Sequence, residues 1–371
     1  MQISDILTSY NSTNLTLGAL GGHVALDIAH GAKAQGFRSL VVARSDRMRP
    51  YATYLKTDTT RNEGCVDAVL EVDQYHDILQ EELQERLRAE NTILAHSRYF
   101  WTYFDFNDIE LKFRVPFFGS RELLRLEERD QKPNQYDLLQ DAGIRIPRIF
   151  ARPEDIDRLT LTKVNNATRT YERENFFAST QAEWRTAAEQ KITSGAIREE
   201  DLKKAVIEEF ILGAPVNFNF FYSPLLKRLE LMGTDTRRQT SLDGWLRLPA
   251  KEQLKIPRDP FHIETGHLAV TVKESLLEKA YEAGEKFVAT CAKYHPKGII
   301  GPFALQGAVT TDGKNEEIVV FDVSFRMPGS PGIVATPYAG YLFRRPVSMG
   351  ERVAMELREA VNTKRVADLV T

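Results

Sequence analysis

Only two cysteines, Cys65 and Cys291, occur in the 371 residues. They stand far apart and outside any C-x-x-C spacing, which argues against a disulfide framework and a structural zinc site and points to a reducing cytosol. No run of about 18 apolar residues occurs, and the opening "MQISDILTSYNST" lacks a cationic start with an apolar core behind it. Neither membrane insertion nor secretion is expected. Excess charge of one sign is missing as well, since 49 Lys and Arg nearly balance 52 Asp and Glu. Such a field does not draw the chain onto nucleic acid or an anionic membrane, so the expected partner is a small molecule in the cytoplasm. Prolines number 16, and there is no internal repeat or low-complexity tract. What is present is ordinary globular material, 42% apolar and 27% charged, long enough for two or three packed lobes.

The stretch "GALGGHV" (18–24) follows the apolar run "NLTLGAL" and leads into a helix on which Val24, Ile28 and Ala32 recur every four residues, with Gly36 at its end. "SLVVAR" is then a buried strand. Strand, helix and strand in this order form a βαβ unit with parallel strands. The pattern continues through "CVDAVLEV" (65–72), a helix bearing Ile78, Leu79, Leu83 and Leu87, and "NTILAHS" (91–97). Residues 1 to about 115 therefore read as a small doubly wound lobe, in which ligands sit beyond the carboxyl ends of the strands. The three glycines serve either a tight turn or an anion held by the amides of Val24 and Ala25.

Residues 116–147 read as helical and connecting. Beyond Pro147 the character changes to a strand at "RLTLTKV", a helix around "TQAEWRTAAEQKI", and antiparallel strands at "AVIEEFI", "PVNFNFFYS" and "LLKRLELMG". A long helix spans about 273–294, a hairpin joins "FALQGAVT" to "EIVVFDVSF", and a final helix opens at Ser348. If Thr310 faces Ile318 across that hairpin, Gln306 falls opposite Asp322 with both side chains on one face. Mg²⁺ takes one or two carboxylates plus phosphate oxygens, so the pair reads as a magnesium-nucleotide site or as a solvated strand face.

"VPFFGSRELLRLEERDQKPNQYDLLQDAGIRIP", "EEFILGAPVNFNFFYSPL", "KESLLEKAYEAGEKFV", "KGIIGPFALQ", "VVFDVS" and "MGERVAMEL" together resemble the archaeal formate-dependent FAICAR synthetases, a family of ATP-grasp ligases, over nearly the whole chain. The resemblance implies an α/β fold: an ATP-grasp fold preceded by a small doubly wound (preATP-grasp) parallel-sheet lobe. Residues 1–120 would form the N-terminal domain and 121–371 the ATP-grasp domain, with a nucleotide-binding subdomain at about 147–213 and a catalytic subdomain at about 214–371. It implies formylation of AICAR from formate and ATP with Mg²⁺ or Mn²⁺, by a homo-oligomer, through formyl phosphate. On this resemblance His23 and Ser97 (or Arg98) hold the substrate nucleotide, Lys163 and the segment Glu208, Glu209, Phe210 and Ile211 hold ATP, and Gln306 and Asp322 hold the metal. Lys163 and Arg326 would act on the moving phosphoryl group.

The chain departs from the family in three places. Where a glycine-rich phosphate loop belongs it reads "NNATRTYEREN", so Arg169 and Arg173 are the candidates to clamp phosphate through their guanidinium forks. After the metal strand it reads "SFRMPGSPG", without the usual asparagine and with aspartate in place of glutamate. His267 and Lys273 stand where the family tends to show asparagine and arginine, and Arg237 and Arg238 remain as anion binders or loop charges on the substrate side. A purine-nucleotide-binding paralogue without activity, or a ligase for another amine or carboxylate, are the alternatives.

Overall fold

The computed structural model describes residues 3–164, 174–257 and 262–371. Its first layer is a parallel sheet of β1 (Thr16–Leu20), β2 (Arg38–Arg44), β3 (Ala68–Val72), β4 (Thr92–Ala95) and β5 (Phe117–Phe118) in the order 3-2-1-4-5. The strands are continuous apolar runs because helices cover both faces. Helix Ala25–Ala34 buries Ala25, Ile28, Ala29 and Ala32 against the sheet, and helix Glu81–Ala89 buries Leu87.

A second sheet is antiparallel, with β6 (Ile149–Phe150), β7 (Thr160–Val164), β8 (Glu174–Ala178) and β9 (Val206–Glu209) in the order 6-9-7-8. Helix Gln181–Thr193 packs on it through Ala188, beside Val164 and Phe176. The third sheet carries β10 (Ala214–Ser223), β11 (Arg228–Thr240), β12 (His262–Val270), β13 (Gly301–Thr311) and β14 (Glu316–Ser324) in the order 12-11-10-13-14. On β10 the alternation divides Val216, Phe218 and Phe220, which enter the core, from Asn217 and Asn219 on the opposite face. Helix Glu274–Tyr294 covers the apolar face through Ala280, Phe287 and Cys291.

The last helix, Met349–Asn362, follows the third sheet in the chain but packs against helix Ala25–Ala34 of the first lobe. The crossing is close because Gly31 and Gly350 meet there, and a Cβ on either would fall inside the other helix's backbone. The lobes are also fused through His96, buried at the end of β4, whose Nε2 hydrogen-bonds the Phe325 carbonyl just past β14.

Candidate functional site

Between the first and third sheets lies a narrow polar cleft. Its floor is the polar face of the third sheet: Asn217 and Asn219 from β10, Asp235 and Arg237 from β11, His267 from β12, Ala304 and Gln306 from β13, and Ser324 from β14. Its wall comes from the first lobe, where His23 and Arg98 follow the carboxyl ends of the adjacent parallel strands β1 and β4. The strand ends open here because that is where the helices turn away from the sheet.

The glycine turn has a packing cause of its own. Gly21 lies against Tyr51 and Val42, and a Cβ on Gly22, at φ 139°, would strike the Tyr99 ring. His23 itself takes a left-handed φ of 50° and presses its ring against Gly329. The residue is open to the cleft. Desolvation within the cleft, then the guanidinium groups of Arg326 and Arg98, hold its imidazole well below the ordinary histidine range, so it is neutral. Ser97 does not line the cleft; it is fully buried and caps the short helix Arg98–Thr102 at the Tyr99 amide, so its neighbour Arg98 is the residue that faces the ligand space.

On the sheet floor Asp235 is 1% exposed and is the hub. It accepts from Asn217 Nδ2 at 2.9 Å, Asn219 Nδ2 at 2.6 Å, Ser330 Oγ at 3.2 Å and His267 Nδ1 at 2.5 Å. Burial opposes its charge, but these donors outweigh burial and hold the carboxyl below its usual range. Glu264, three residues before His267, lies 3.6 Å from His267 Nε2 and 3.9 Å from Arg98. The His267 imidazole beside it, with the charges of Arg237 and Arg98, pulls it down to about 2. Burial works against a charge on His267, and the neighbouring carboxylates of Asp235 and Glu264 raise its pKa above the ordinary value despite that burial.

Arg237 and Arg238 are strand residues rather than loop charges, and successive side chains on a strand point to opposite faces. Arg237 lines the cleft and donates to Gln306 Oε1 at 2.6 Å. Arg238 points out and pairs with Asp243 at 2.8 Å. Lys273 does not reach the cleft either: it precedes helix Glu274–Tyr294, its side chain is 63% exposed, and it pairs with Glu316. Arg326 lines the cleft and is steadied by Glu127 at 3.3 Å.

Beside the cleft a second polar group joins the second and third sheets. Lys163 on β7 lies 2.5 Å from Glu208 on β9, and its ammonium donates to the Phe321 carbonyl at 3.2 Å. Tyr136 donates to Glu208 at 2.5 Å, while Arg129 donates to Tyr136 at 3.1 Å and to Asp322 at 2.8 Å. Burial lowers Lys163 to about 8 against the support of Glu208. Glu209 turns outward to Arg158, Phe210 packs edge-on to Phe177, and Ile211 is half-buried. Arg169 and Arg173 lie outside the described residues.

Gln306 and Asp322 are register partners across β13 and β14. The route to that pairing differs from the expected one: Thr310 faces Glu317, not Ile318, and a bulge at Phe321 restores the pairing of Gln306 with Asp322. Among the described residues no group of three or more His, Cys, Asp or Glu could hold a metal, so no all-protein cage is present there. One carboxylate with one amide oxygen suits an ion that arrives with phosphate oxygens of its own. The described residues also contain no helix long and apolar enough to cross a membrane.

A parallel nucleotide-type lobe, an antiparallel sheet carrying a buried lysine and a second antiparallel sheet carrying carboxylate and amide groups define an ATP-grasp carbon–nitrogen ligase. The solved structures agree on that architecture. The IMP biosynthesis protein PurP from Thermococcus kodakaraensis is 27% identical, with a TM-score of 0.69 over 96% of this chain and 100% of that one. N5-carboxyaminoimidazole synthetase from Staphylococcus aureus is 11% identical, with a TM-score of 0.58 over 94% of this chain and 79% of that one, and shares the fold.

Two family models match, a protein of unknown function (DUF1246) over residues 17–150 and a domain of unknown function (DUF1297) over 183–371. The 5-formaminoimidazole-4-carboxamide-1-(beta)-D-ribofuranosyl 5'-monophosphate synthetase of Methanopyrus kandleri is 37% identical over 372 residues, covering 100% of this chain and 99% of that protein. The protein of the same name from Methanocaldococcus jannaschii is 34% identical over 374 residues, again with 100% and 99% covered. The chain belongs to this family, the FAICAR synthetases.

Proposed function

We propose that the chain is the ligase that formylates AICAR to FAICAR in IMP biosynthesis, using formate and ATP. The observation that carries this reading is the 37% identity over an alignment that covers the whole chain. The cleft supports it chemically. Arg98, Arg237 and Arg326 face one space together with neutral His23, which suits an anionic nucleotide and a small carboxylate. His23 and Arg98 bind the substrate nucleotide from the first lobe, and Lys163 approaches the phosphates of ATP from the second sheet.

Asp322 and the Gln306 amide would hold Mg²⁺ delivered with ATP, which supplies neutralisation of phosphate charge. To do so Asp322 must share its carboxylate with Arg129, and the Gln306 amide oxygen must give up the guanidinium of Arg237 or share with it. ATP phosphorylates formate, and the aminoimidazole amine attacks the formyl carbon of the acyl phosphate. No nucleophilic side chain is needed; this chain's residues orient the partners and exclude water. Lys163 and Arg326 stabilise the charge on the phosphoryl group.

Incubation with AICAR, formate and MgATP tests the reading. FAICAR and ADP in equal amounts are expected; nucleotide binding without any formylated product would reject it. A ligase for another amine is the second reading, favoured by the ionised surroundings of His267, and a panel of amines with formate separates the two.

A further inference from the structure

Whatever amine reacts in this cleft must shed a proton as it becomes an amide, and few groups here can take one. Arg98, Arg237 and Arg326 are permanent donors. Asp235 already accepts four hydrogen bonds, Glu264 stands beside Arg98, and His23 is depressed by desolvation and its arginine neighbours. We propose that His267, braced by Asp235, is the group that accepts the proton of the attacking amine.

The geometry carries the assignment. Nδ1 of His267 stands 2.5 Å from Asp235 Oδ2, so Nδ1–H donates to the carboxylate and the opposite nitrogen, Nε2, is the one free of that bond. Nε2 lies 3.6 Å from Glu264 Oε1, beyond hydrogen-bond distance but within reach of a charge. Asp235 cannot swing away because Asn217, Asn219 and Ser330 also donate to it. An imidazole that needed only a structural partner would be satisfied by one acceptor. Here one buried carboxylate fixes the tautomer and a second, on the cleft side, waits to pair with the imidazolium.

The step rests on the ligase reading and balances as follows. The amine lone pair forms the C–N bond to the formyl carbon, the C–O bond to phosphate breaks, and phosphate leaves with that electron pair. The N–H proton passes to Nε2 of His267. The resulting imidazolium sits between Asp235 and Glu264 until solvent takes the proton. Arg237 on β11 opposes the charge of the ring, and Arg98 on its helix, Arg326 past β14 and His23 after β1 line the same cleft. The two carboxylates prevail, so the acceptor form is lost on the acid side at a pH above the ordinary histidine value.

The test is the pH dependence of kcat for the intact chain with AICAR, formate and MgATP, beside Glu264→Gln, His267→Gln and His267→Gly. We expect an acid limb that moves to lower pH in Glu264→Gln. In His267→Gln the limb disappears and kcat falls on the order of 10²-fold, with a smaller change in KM for the amine. Added imidazole should restore turnover to His267→Gly in proportion to its concentration, which a packing role would not produce. An unmoved acid limb in His267→Gln, or a loss carried by KM alone, overturns the proposal while leaving the ligase reading in place. A chain that forms no formylated amine at all overturns both.

Discussion

The ammonium of Lys163 and the carboxylate of Glu208 form an ion pair of 2.5 Å that is almost closed to solvent, with side chains 10% and 4% exposed. Burial drags Lys163 to about 8 while Glu208 resists the fall. A lysine needed as a cation on phosphate is therefore lost as pH rises through 8 rather than near its ordinary value. We expect kcat/KM for ATP to decline on that alkaline side, since this quantity reports the free enzyme. Glu208→Gln removes the opposing carboxylate and should move the decline to lower pH. Lys163→Met should cost on the order of 10²-fold below about pH 8, as loss of one preorganised donor does, and progressively less above it, where the ammonium is already lost. An alkaline limb unchanged in Glu208→Gln would show that Lys163 is not the titrating group.

Arg237 and Arg238 are adjacent in the chain and opposite in consequence. Arg237→Ala empties the cleft of a cation and leaves the Gln306 amide oxygen without its donor. We expect KM for the anionic substrate to rise about tenfold or more, equivalent to about 1.4 kcal/mol. Arg238→Ala breaks only an exposed pair with Asp243 and should leave steady-state constants within about twofold. Equal effects of the two substitutions would mean that the strand does not present its faces as described.

Gly329 offers a steric probe of His23 that spares its chemistry. A Cβ at position 329 would overlap the His23 ring, so Gly329→Ala must push the imidazole toward the ligand space. KM for the substrate nucleotide should rise about tenfold, near 1.4 kcal/mol. Titration of nucleotide binding by calorimetry checks it, and unaltered affinity would remove His23 from the substrate contacts.

How much of this is legible in the sequence depends on which faces the side chains cover. Val24, Ile28 and Ala32 betray their helix because one side of it is wholly buried. The parallel strands betray themselves by apolar runs. By contrast "GTDTRRQTSLDG" reads as a loop because its strand, β11, faces a polar cleft on one side and solvent on the other, leaving no apolar alternation. The neighbouring β12, bearing Glu264 and His267, gives no strand signal for the same reason. A carboxylate three residues from a histidine in "HIETGH" is the one local hint. The Phe321 bulge has no local signature either; Gln306 and Asp322 meet by a one-residue slip that the hairpin loop does not announce. Arg129 and Tyr136 are far in sequence from Lys163 and join it only through the packing of three separate segments.

Gly31 and Gly350 hold helices Ala25–Ala34 and Met349–Asn362 at a distance that only glycine permits. Gly350→Ala places a methyl group against the carbonyl of Asp27, which is backbone and cannot rotate aside. Overpacking of this kind costs about 1–3 kcal/mol, occasionally more. We expect a lower midpoint in denaturant with an unchanged slope, while Gly332→Ala, which meets nothing within 4 Å, should be near neutral. A neutral Gly350→Ala would mean that the helices are not in contact there.

His96 sets a pH dependence of stability whose sign can be worked out. It is fully buried, and desolvation above all lowers it from its ordinary value to about 4. Below the unfolded-state value of about 6.5 the unfolded chain takes up a proton that the folded chain refuses, so stability falls as pH drops. The loss should grow between about pH 6.5 and pH 4 and then level off. It amounts to about 1.4 kcal/mol for each pH unit crossed between the two values, on the order of 3 kcal/mol in all. His96→Gln should flatten this part of the curve, whatever it costs at neutral pH through the lost bond to the Phe325 carbonyl. Chemical denaturation at a series of pH values reads both effects. A curve that keeps its slope between about pH 6.5 and 4 in the variant would place the responsible proton on another buried group.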